Sequence, residues 1–341
     1  MSLPSKMNAV AFTQSLPIDH AESLFDTQLE LPTIGEQDLL VKVSASSINP
    51  ADAKIRIRSA LDKTLEAPKV IGYDAVGTVV EKGAEVTGFN IGDRVYYAGD
   101  VSRQGAHAQY HAVDHRITAH APKSLTDAEA AVMPLVSLTA WEALFDRLRV
   151  TPTEKKTLLV IGGAGGVGSS TIQIAKQLTN LTVIATASRP ETEQWVKDLG
   201  ADYVANHHDL VNSVRQQGIQ HVDYIFNVAD TKGHWEAMVE LIAPQGLISS
   251  IVEFDGGIDL SQLQAKSAGF IWELMFTRSL FNTDDISKQQ DILFQMANLI
   301  DAGRMKTLLT ETLTGLNADV LKEAHKRIES GKSIGKTAIL F

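Results

Sequence analysis

Short apolar runs separated by glycine, proline and aspartate open the chain. Residues 7–12, 39–44, 75–80 and 93–97 have the length and spacing of strands between turn signals, so residues 7 to about 125 read as β-rich. The pattern changes at Thr126, where T-D-A-E predicts a capping box: Thr126 covers a backbone N–H and Glu129 reaches back. A helical period follows, breaks at Pro134 and resumes over 137–148. It changes again at Thr157. Strands are predicted over 157–161, 182–186, 202–204, 222–227 and 247–251, with helices over 167–178, 191–199, 210–217 and 234–242 between them. Strands of this length alternating with helices imply a parallel sheet covered on both faces. Beyond residue 278 the rhythm stops, leaving helices over 291–302 and 318–330 and a closing strand over 336–341. The expected organisation is α/β: a β-rich domain over 1–127, a doubly wound parallel-sheet domain inserted over 128–278, and a return to the first domain over 279–341.

Between the first of those alternating strands and the helix after it lies G-G-A-G-G-V-G, residues 162–168. Gly163-Ala164-Gly165-Gly166-Val167-Gly168 fits G-x-G-x-x-G. Gly163 would permit the tight turn, Gly165 the approach of backbone to a pyrophosphate, and Gly168 close helix packing. Gly166 and Val167 open a helix whose free N–H groups and partial positive charge favour an anion. In a strand–loop–helix context this spacing predicts a dinucleotide site. P-loop spacing is present too, but Ser169 stands where the phosphate-binding lysine must be. An NAD site calls for an acid about 20 residues further on, at the end of the second strand. There the chain reads A-T-A-S-R-P, residues 185–190, without an acid, and Ser188 and Arg189 are donors suited to a 2′-phosphate. The expected cofactor is NADP(H). Glu191 leaves a second reading open, in which it takes a free ribose hydroxyl and Arg189 is solvated.

Composition narrows the classes further. With 31 Lys and Arg against 41 Asp and Glu, the formal charge is −10, which argues against a nucleic-acid or anionic-membrane surface. No apolar run reaches the ~20 residues of a membrane span. The opening M-S-L-P-S-K-M-N-A-V-A-F lacks the apolar core of a signal peptide, so the expected location is the cytoplasm. The absence of cysteine excludes disulfides, thiolate-bound zinc and thiol catalysis. His107, His111 and His115 would line up a metal site on a helix, but the odd positions share a face on a strand as well. The surrounding β texture predicts a strand there, and no metal is expected.

The motifs S-S-I-N-P-A-D-A-K at 46–54, I-G-Y-D-A-V-G-T-V at 71–79 and G-D-R-V at 92–95, followed by the loop at 162–168, resemble the medium-chain dehydrogenase/reductase superfamily. The similarity is to its zinc-free quinone oxidoreductase branch, which includes members labelled zinc-type alcohol dehydrogenase-like, and it runs over nearly the whole chain. It implies a GroES-like catalytic domain, a Rossmann domain, an active site in the cleft between them, and a homodimer that pairs through a sixth sheet strand within 269–278. In the zinc enzymes the second motif reads G-H-E, with the histidine on the metal; here it is Gly72-Tyr73-Asp74. A cysteine ligand would fall near Asn49, and the four-cysteine lobe has no room between Tyr97 and Gln104. The resemblance also puts Thr139 on the nicotinamide side and His207 where relatives often have a tyrosine beside the 2′-phosphate. It makes Lys336, in the closing G-K-T, a phosphate candidate, a free surface lysine being the other reading.

Nicotinamide chemistry asks the protein for positioning and for stabilisation of a developing oxyanion. Asn49, through its amide, and Tyr73, through its hydroxyl, are the catalytic candidates. Asn49 could instead serve the turn before Pro50, and Tyr73 could only pack; Asp52 is read as ordering its loop. Ligands bind where parallel strands end, which selects Asn227 with residues 228–230, and Val252 with its neighbours, as walls near the nicotinamide. The expected function is metal-free, NADPH-dependent hydride transfer to a small-molecule conjugated carbonyl, a quinone or an α,β-unsaturated carbonyl. Two alternatives stand beside it. An enoyl-thioester reductase needs a long pocket and basic groups for its carrier, and this acidic sequence displays no such cluster. An NADPH-binding redox sensor would bind the cofactor without useful turnover.

Overall fold

The computed structural model describes residues 3–341; Met1 and Ser2, the start of the stretch read for a leader, lie outside the described residues. The chain forms two compact units. One runs to Leu135 and resumes over Phe276–Phe341; the other is Val136–Met275. The change of pattern at Thr126 marks a helix of the first unit rather than the start of the second. Thr126 does cap it, accepting from Glu129 N while Glu129 Oε2 takes the Thr126 N–H at 2.9 Å.

The second unit is a doubly wound sheet of six parallel strands. Their order is Tyr203–Ala205, Thr182–Thr186, Thr157–Ile161, Val222–Asn227, Ile242–Ser250, Gly269–Trp272. In sequence order that is 3-2-1-4-5-6, the arrangement of Rossmann folds. The central strands carry Leu158, Leu159, Val160, Ile161 and Ile225 with no exposed surface, as strands buried on both faces must. The helices Gly166–Leu178, Pro190–Asp198, Leu210–Arg215 and Trp235–Leu241 connect the first five strands. Trp235, Met238 and Leu241 bury one stripe of the last helix against Ile225 and Ile248. Gly269–Trp272 forms the sixth strand and leaves its outer edge unpaired, so the expectation of a strand in that stretch holds for its first four residues.

The first unit is antiparallel apart from one parallel pair. Leu309–Thr314, Lys336–Leu340, Asp38–Ser47, Ala75–Lys82, Arg94–Tyr97 and Thr118–His120 lie side by side, and Tyr110–Asp114 also pairs with Asp38–Ser47. A smaller sheet joins Phe25–Glu30, Lys6–Phe12 and Lys69–Val70. One helix here departs from the β-rich expectation. Pro50–Arg58 carries Pro50 at its first position and Asp52 as the reciprocal partner of the Asn49 N–H, both good starters. Its apolar stripe is too weak to announce it, because its buried face includes Asp52 and Arg56.

Among the described residues one helical stretch, Asp127–Arg147, is long and apolar enough to cross a membrane by length and composition, and 78% of its apolar window is buried in the protein.

Candidate functional site

In the second unit, Thr157–Ile161 delivers the glycine loop to the carboxyl edge of the sheet. The left-handed residue of the turn is Gly162, at φ 93°, one position before the motif's first glycine. Its N–H donates to Thr186 Oγ1 at 2.8 Å, which pins the loop to the neighbouring strand end. Gly163 is required for closeness instead: a Cβ there would stand 2.8 Å from the Ala185 Cβ. At Gly168 it would lie 2.2 Å from the Gly162 carbonyl oxygen, so the helix packs on its own loop. Gly165 differs from both. A Cβ there would find only the Gly162 oxygen, at 3.8 Å, so this backbone faces open space. Beside it starts the helix Gly166–Leu178, whose first N–H groups, from Gly166, Val167 and Gly168, have no acceptor within the helix. Open backbone, free donors and a positive helix end in one place fit a dinucleotide pyrophosphate.

Just past the second strand comes Ala187, whose N–H donates to Ala205 O at 3.0 Å. Ser188 follows, half-buried, its hydroxyl without a partner among the described residues. Arg189 Nε lies 3.3 Å from Glu191 Oε1, so the two residues weighed against each other in the sequence form an ion pair. His207 stands two residues past Ala205, half-buried, its ring centroid 4.1 Å from His208 and 6.2 Å from His234. Asn227 is buried, and its amide is spent locally. It donates to Thr231 Oγ1 and Ser250 Oγ at 3.0 Å each, while Thr231 Oγ1 donates to Val252 O. Asn227 and Val252 therefore belong to one brace across two strand ends, which leaves backbone rather than the Asn227 amide for a ligand. Thr139 is buried on the helix Pro134–Trp141.

The first unit holds a buried polar network around Tyr73. Asp74 accepts from Ser47 Oγ at 2.6 Å, from Asn49 Nδ2 at 2.9 Å, from Leu135 N at 2.7 Å and from Lys336 Nζ at 3.2 Å. Asn49 Nδ2 also donates to Tyr73 O at 2.8 Å, and Asn49 Oδ1 accepts from Lys336. Both amide hydrogens and the carbonyl of Asn49 are thus engaged, and Asn49 has no donor left for a substrate oxygen. Lys336 is 5% exposed and also donates to Ile48 O at 3.0 Å, so it is neither a surface lysine nor a free phosphate ligand. Burial pulls its ammonium down from the ordinary lysine range, against the pull of Asp74. Asp52 joins two turns by accepting from Asn49 N at 2.7 Å and Gly72 N at 3.0 Å. Burial pushes its carboxyl up to about 7, although those two N–H groups and Lys336 act the other way.

Tyr73 has no exposed surface. Its ring meets Phe276 edge-on, with centroids 5.4 Å apart, and its hydroxyl has no partner among the described residues. Burial, with Asp52 and Asp100 nearby, drives the phenol above its ordinary range, so it stays a neutral donor. Of the two catalytic candidates, only Tyr73 keeps a hydrogen to give. The three histidines on and beside the strand Tyr110–Asp114 have separate surroundings. His111 meets Tyr97 Oη at 3.0 Å and Gln104 O at 2.9 Å, and His115 meets Gln37 O at 2.9 Å. His107 lies against Gly72 and is held down to about 3 by burial. Among the described residues no group of three or more His, Cys, Asp or Glu side chains could hold a metal ion. With Tyr73 and a fully engaged Asn49 at the compared positions, the donor set does not fit zinc.

Sequence reasoning passed over two features. Arg147 Nε donates to Glu273 Oε2 at 2.8 Å, and its guanidinium lies 3.9 Å from Glu142, so one arginine faces two buried acids. Nothing in the order of letters joins Glu273 to Arg147, 126 positions away. The second is a groove of about 550 Å³ in the first unit, lined by Lys63, Lys69 and Arg103 together with Glu66, Arg103 being held by Asp38 at 2.8 Å. Its basic residues come from two separate segments of an acidic chain, which hides them from any count.

Comparison with known proteins agrees with this architecture. The profile of the alcohol dehydrogenase GroES-like domain matches residues 35–123, and that of the zinc-binding dehydrogenases matches 199–339. A zinc-type alcohol dehydrogenase-like protein of Staphylococcus aureus is 40% identical over 98% of this chain and 99% of its own length. A Rhizobium etli protein provisionally described as a zinc-dependent alcohol dehydrogenase superposes with a TM-score of 0.94. It is 44% identical, over 99% of this chain and 98% of its own. The chain belongs to the medium-chain dehydrogenase/reductase superfamily, a family of oxidoreductases. Within it, the S. aureus zinc-type alcohol dehydrogenase-like protein stands near it along its whole length. More distant relatives carry more specific names. The 2-methylene-furan-3-one reductase of Solanum lycopersicum is 28% identical over 99% of this chain and 80% of its own length. A mycobacterial protein solved with NADPH is 26% identical, with a TM-score of 0.82, over 98% of this chain and all of its own.

Proposed function

We propose that this protein is a metal-free, NADPH-dependent reductase that delivers a hydride to a quinone or an α,β-unsaturated carbonyl. The observation that carries the reading is the glycine cradle beside a second strand that ends in Ser188 and Arg189 with no acid before Glu191. The tomato reductase and the NADPH-bound mycobacterial relative support it. NADPH would supply the hydride. The chain's own residues do the rest. Gly165 and the helix start at Gly166 receive the pyrophosphate, Ser188 and Arg189 the 2′-phosphate, and the Tyr73 hydroxyl donates to the oxygen on which charge develops. Asn49, Asp52, Asp74 and Lys336 hold the Tyr73 backbone in place and touch nothing that reacts. The protein works in the cytoplasm as a homodimer. The free edge of Gly269–Trp272, with Trp272 and Leu274 exposed beside it, offers the pairing surface.

The test is oxidation of NADPH and NADH, side by side, with a planar ortho-quinone and EDTA present. Rapid NADPH loss that EDTA leaves unchanged supports the reading; a clear preference for NADH removes its cofactor half. No loss with either cofactor turns attention to a redox sensor that binds without turnover.

The two lysines of the groove, Lys63 and Lys69, favour a second reading, reduction of an enoyl thioester whose carrier bears phosphates. Lys69 is half-buried there with no partner among the described residues, and burial pulls its ammonium down. Faster saturation of a crotonyl thioester than of any quinone would establish it instead.

A further inference from the structure

Three imidazoles gather in the second unit, and of them only His207 has been given a candidate role. His207 and His208 stack at 4.1 Å with their planes 40° apart, and His234 stands perpendicular to His207 at 6.2 Å. None of their ring nitrogens hydrogen-bonds to a described residue, and they do not make a metal site. Their place in the sheet is specific. The Ala187–Ala205 hydrogen bond sets two parallel strand ends side by side, so Ser188 and His207 leave the sheet from neighbouring positions. His234 comes from the loop after Val222–Asn227. All three thus rise at the carboxyl edge, where parallel sheets bind ligands.

We infer that His207, His208 and His234 form a proton-gated anion site that reads the phosphate on a nucleotide's 2′-ribose oxygen, so that acidity sets how strongly the protein prefers a 2′-phosphorylated dinucleotide. The inference rests on the NADP reading above and adds the group that tunes it.

Burial and the neighbouring imidazoles hold His207 below its ordinary range; burial and His208 hold His234 there, while Asp230 pulls it up. Other charges nearby are largely engaged. Asp209 accepts from Asn212, Asp230 from Gly233 N, Lys232 donates to Asp255 O, Glu236 faces Gln262, and Arg215 pairs with Glu240 on the adjoining helix. Arg189 divides its charge with Glu191. Without an anion His207 and His234 stay neutral near pH 7. A phosphate dianion supplies the missing counter-charge, so its binding draws a proton onto the cluster. An unphosphorylated ribose offers no such charge.

Isothermal titration of the full chain with 2′,5′-ADP and with 5′-ADP, between pH 5.5 and 8.5 in two buffers of different ionisation enthalpy, tests this directly. Binding of 2′,5′-ADP should tighten about 10-fold from pH 8.5 to pH 6.5 with proton uptake, while 5′-ADP stays flat. The phosphate's own ionisation, near pH 6, weakens binding at the acid end in every variant alike. His207→Gln should remove the gain and the proton uptake. His234→Gln should move the midpoint to higher pH, because one repelling neighbour is gone. Parallel profiles for the wild-type protein and His207→Gln overturn the inference. Equal affinity for the two nucleotides at every pH overturns the NADP reading beneath it, a distinguishable result.

Discussion

Lys336 Nζ and Asp74 Oδ2 stand 3.2 Å apart, with side chains only 4% and 0% exposed, although 262 positions separate them in the chain. Each holds other partners, so the pair is a clamp: Lys336 fixes the Asn49 amide, and Asp74 fixes the Ser47 hydroxyl and the Leu135 N–H. A buried charge left without its partner costs about 3–5 kcal/mol. Lys336→Met should therefore lower the urea unfolding free energy of the protein by about that amount. A loss under about 1 kcal/mol would mean that Asp74 finds its counter-charge elsewhere.

The unpartnered Tyr73 hydroxyl separates stability from chemistry. A buried donor without an acceptor costs the fold about 1–3 kcal/mol. Tyr73→Phe should leave Tm unchanged or raise it. If Oη serves the reacting oxygen, the same change should lower kcat about 10²-fold with little effect on KM. Unchanged kcat would return Tyr73 to a packing role.

Glu273 and Glu142, both with fully buried side chains, share the partly exposed Arg147, and burial followed by the Glu142 charge pushes the Glu273 carboxyl up to about 8. A carboxyl raised on folding gives stability that is complete below its unfolded pKa and is lost as pH rises through the folded one. Unfolding free energy should thus decline between about pH 5 and pH 8. Glu273→Gln should flatten that slope in denaturant titrations across the same range; an unchanged slope would locate the titrating group elsewhere.

Cofactor choice should follow the end of the second strand. Charge-assisted hydrogen bonds contribute about 1.5–3 kcal/mol each. Ser188→Ala combined with Arg189→Ala should weaken NADPH binding about 10- to 100-fold, read by fluorescence titration, and leave NADH within about twofold. Equal losses for both cofactors would point to the pyrophosphate or adenine contacts instead.

The parallel sheet was legible because its central strands are short, mostly apolar runs between turn signals. Strands 157–161, 182–186 and 222–227 coincide with the structure residue for residue. The helix Pro50–Arg58 was not legible, since its buried face carries Asp52 and Arg56 and so breaks the apolar period. At the site the glycines announced themselves by spacing, though the left-handed turn falls on Gly162 rather than Gly163. Asn49 and Lys336 misled for one reason. An amide and an ammonium look available in a sequence, and only the fold reveals that each is already held, largely by the other and by Asp74.

The strand Lys336–Leu340 also sets an order of events during synthesis. Its neighbour in the sheet, Asp38–Ser47, leaves the ribosome before the inserted unit, yet the two can pair only after that whole unit has been made. The inserted unit has all six of its strands within one continuous stretch and can fold while translation proceeds. Until Lys336 arrives, Asp74 and Asn49 wait without their cation, and the scaffold around Tyr73 is closed by a strand made only after the whole inserted unit.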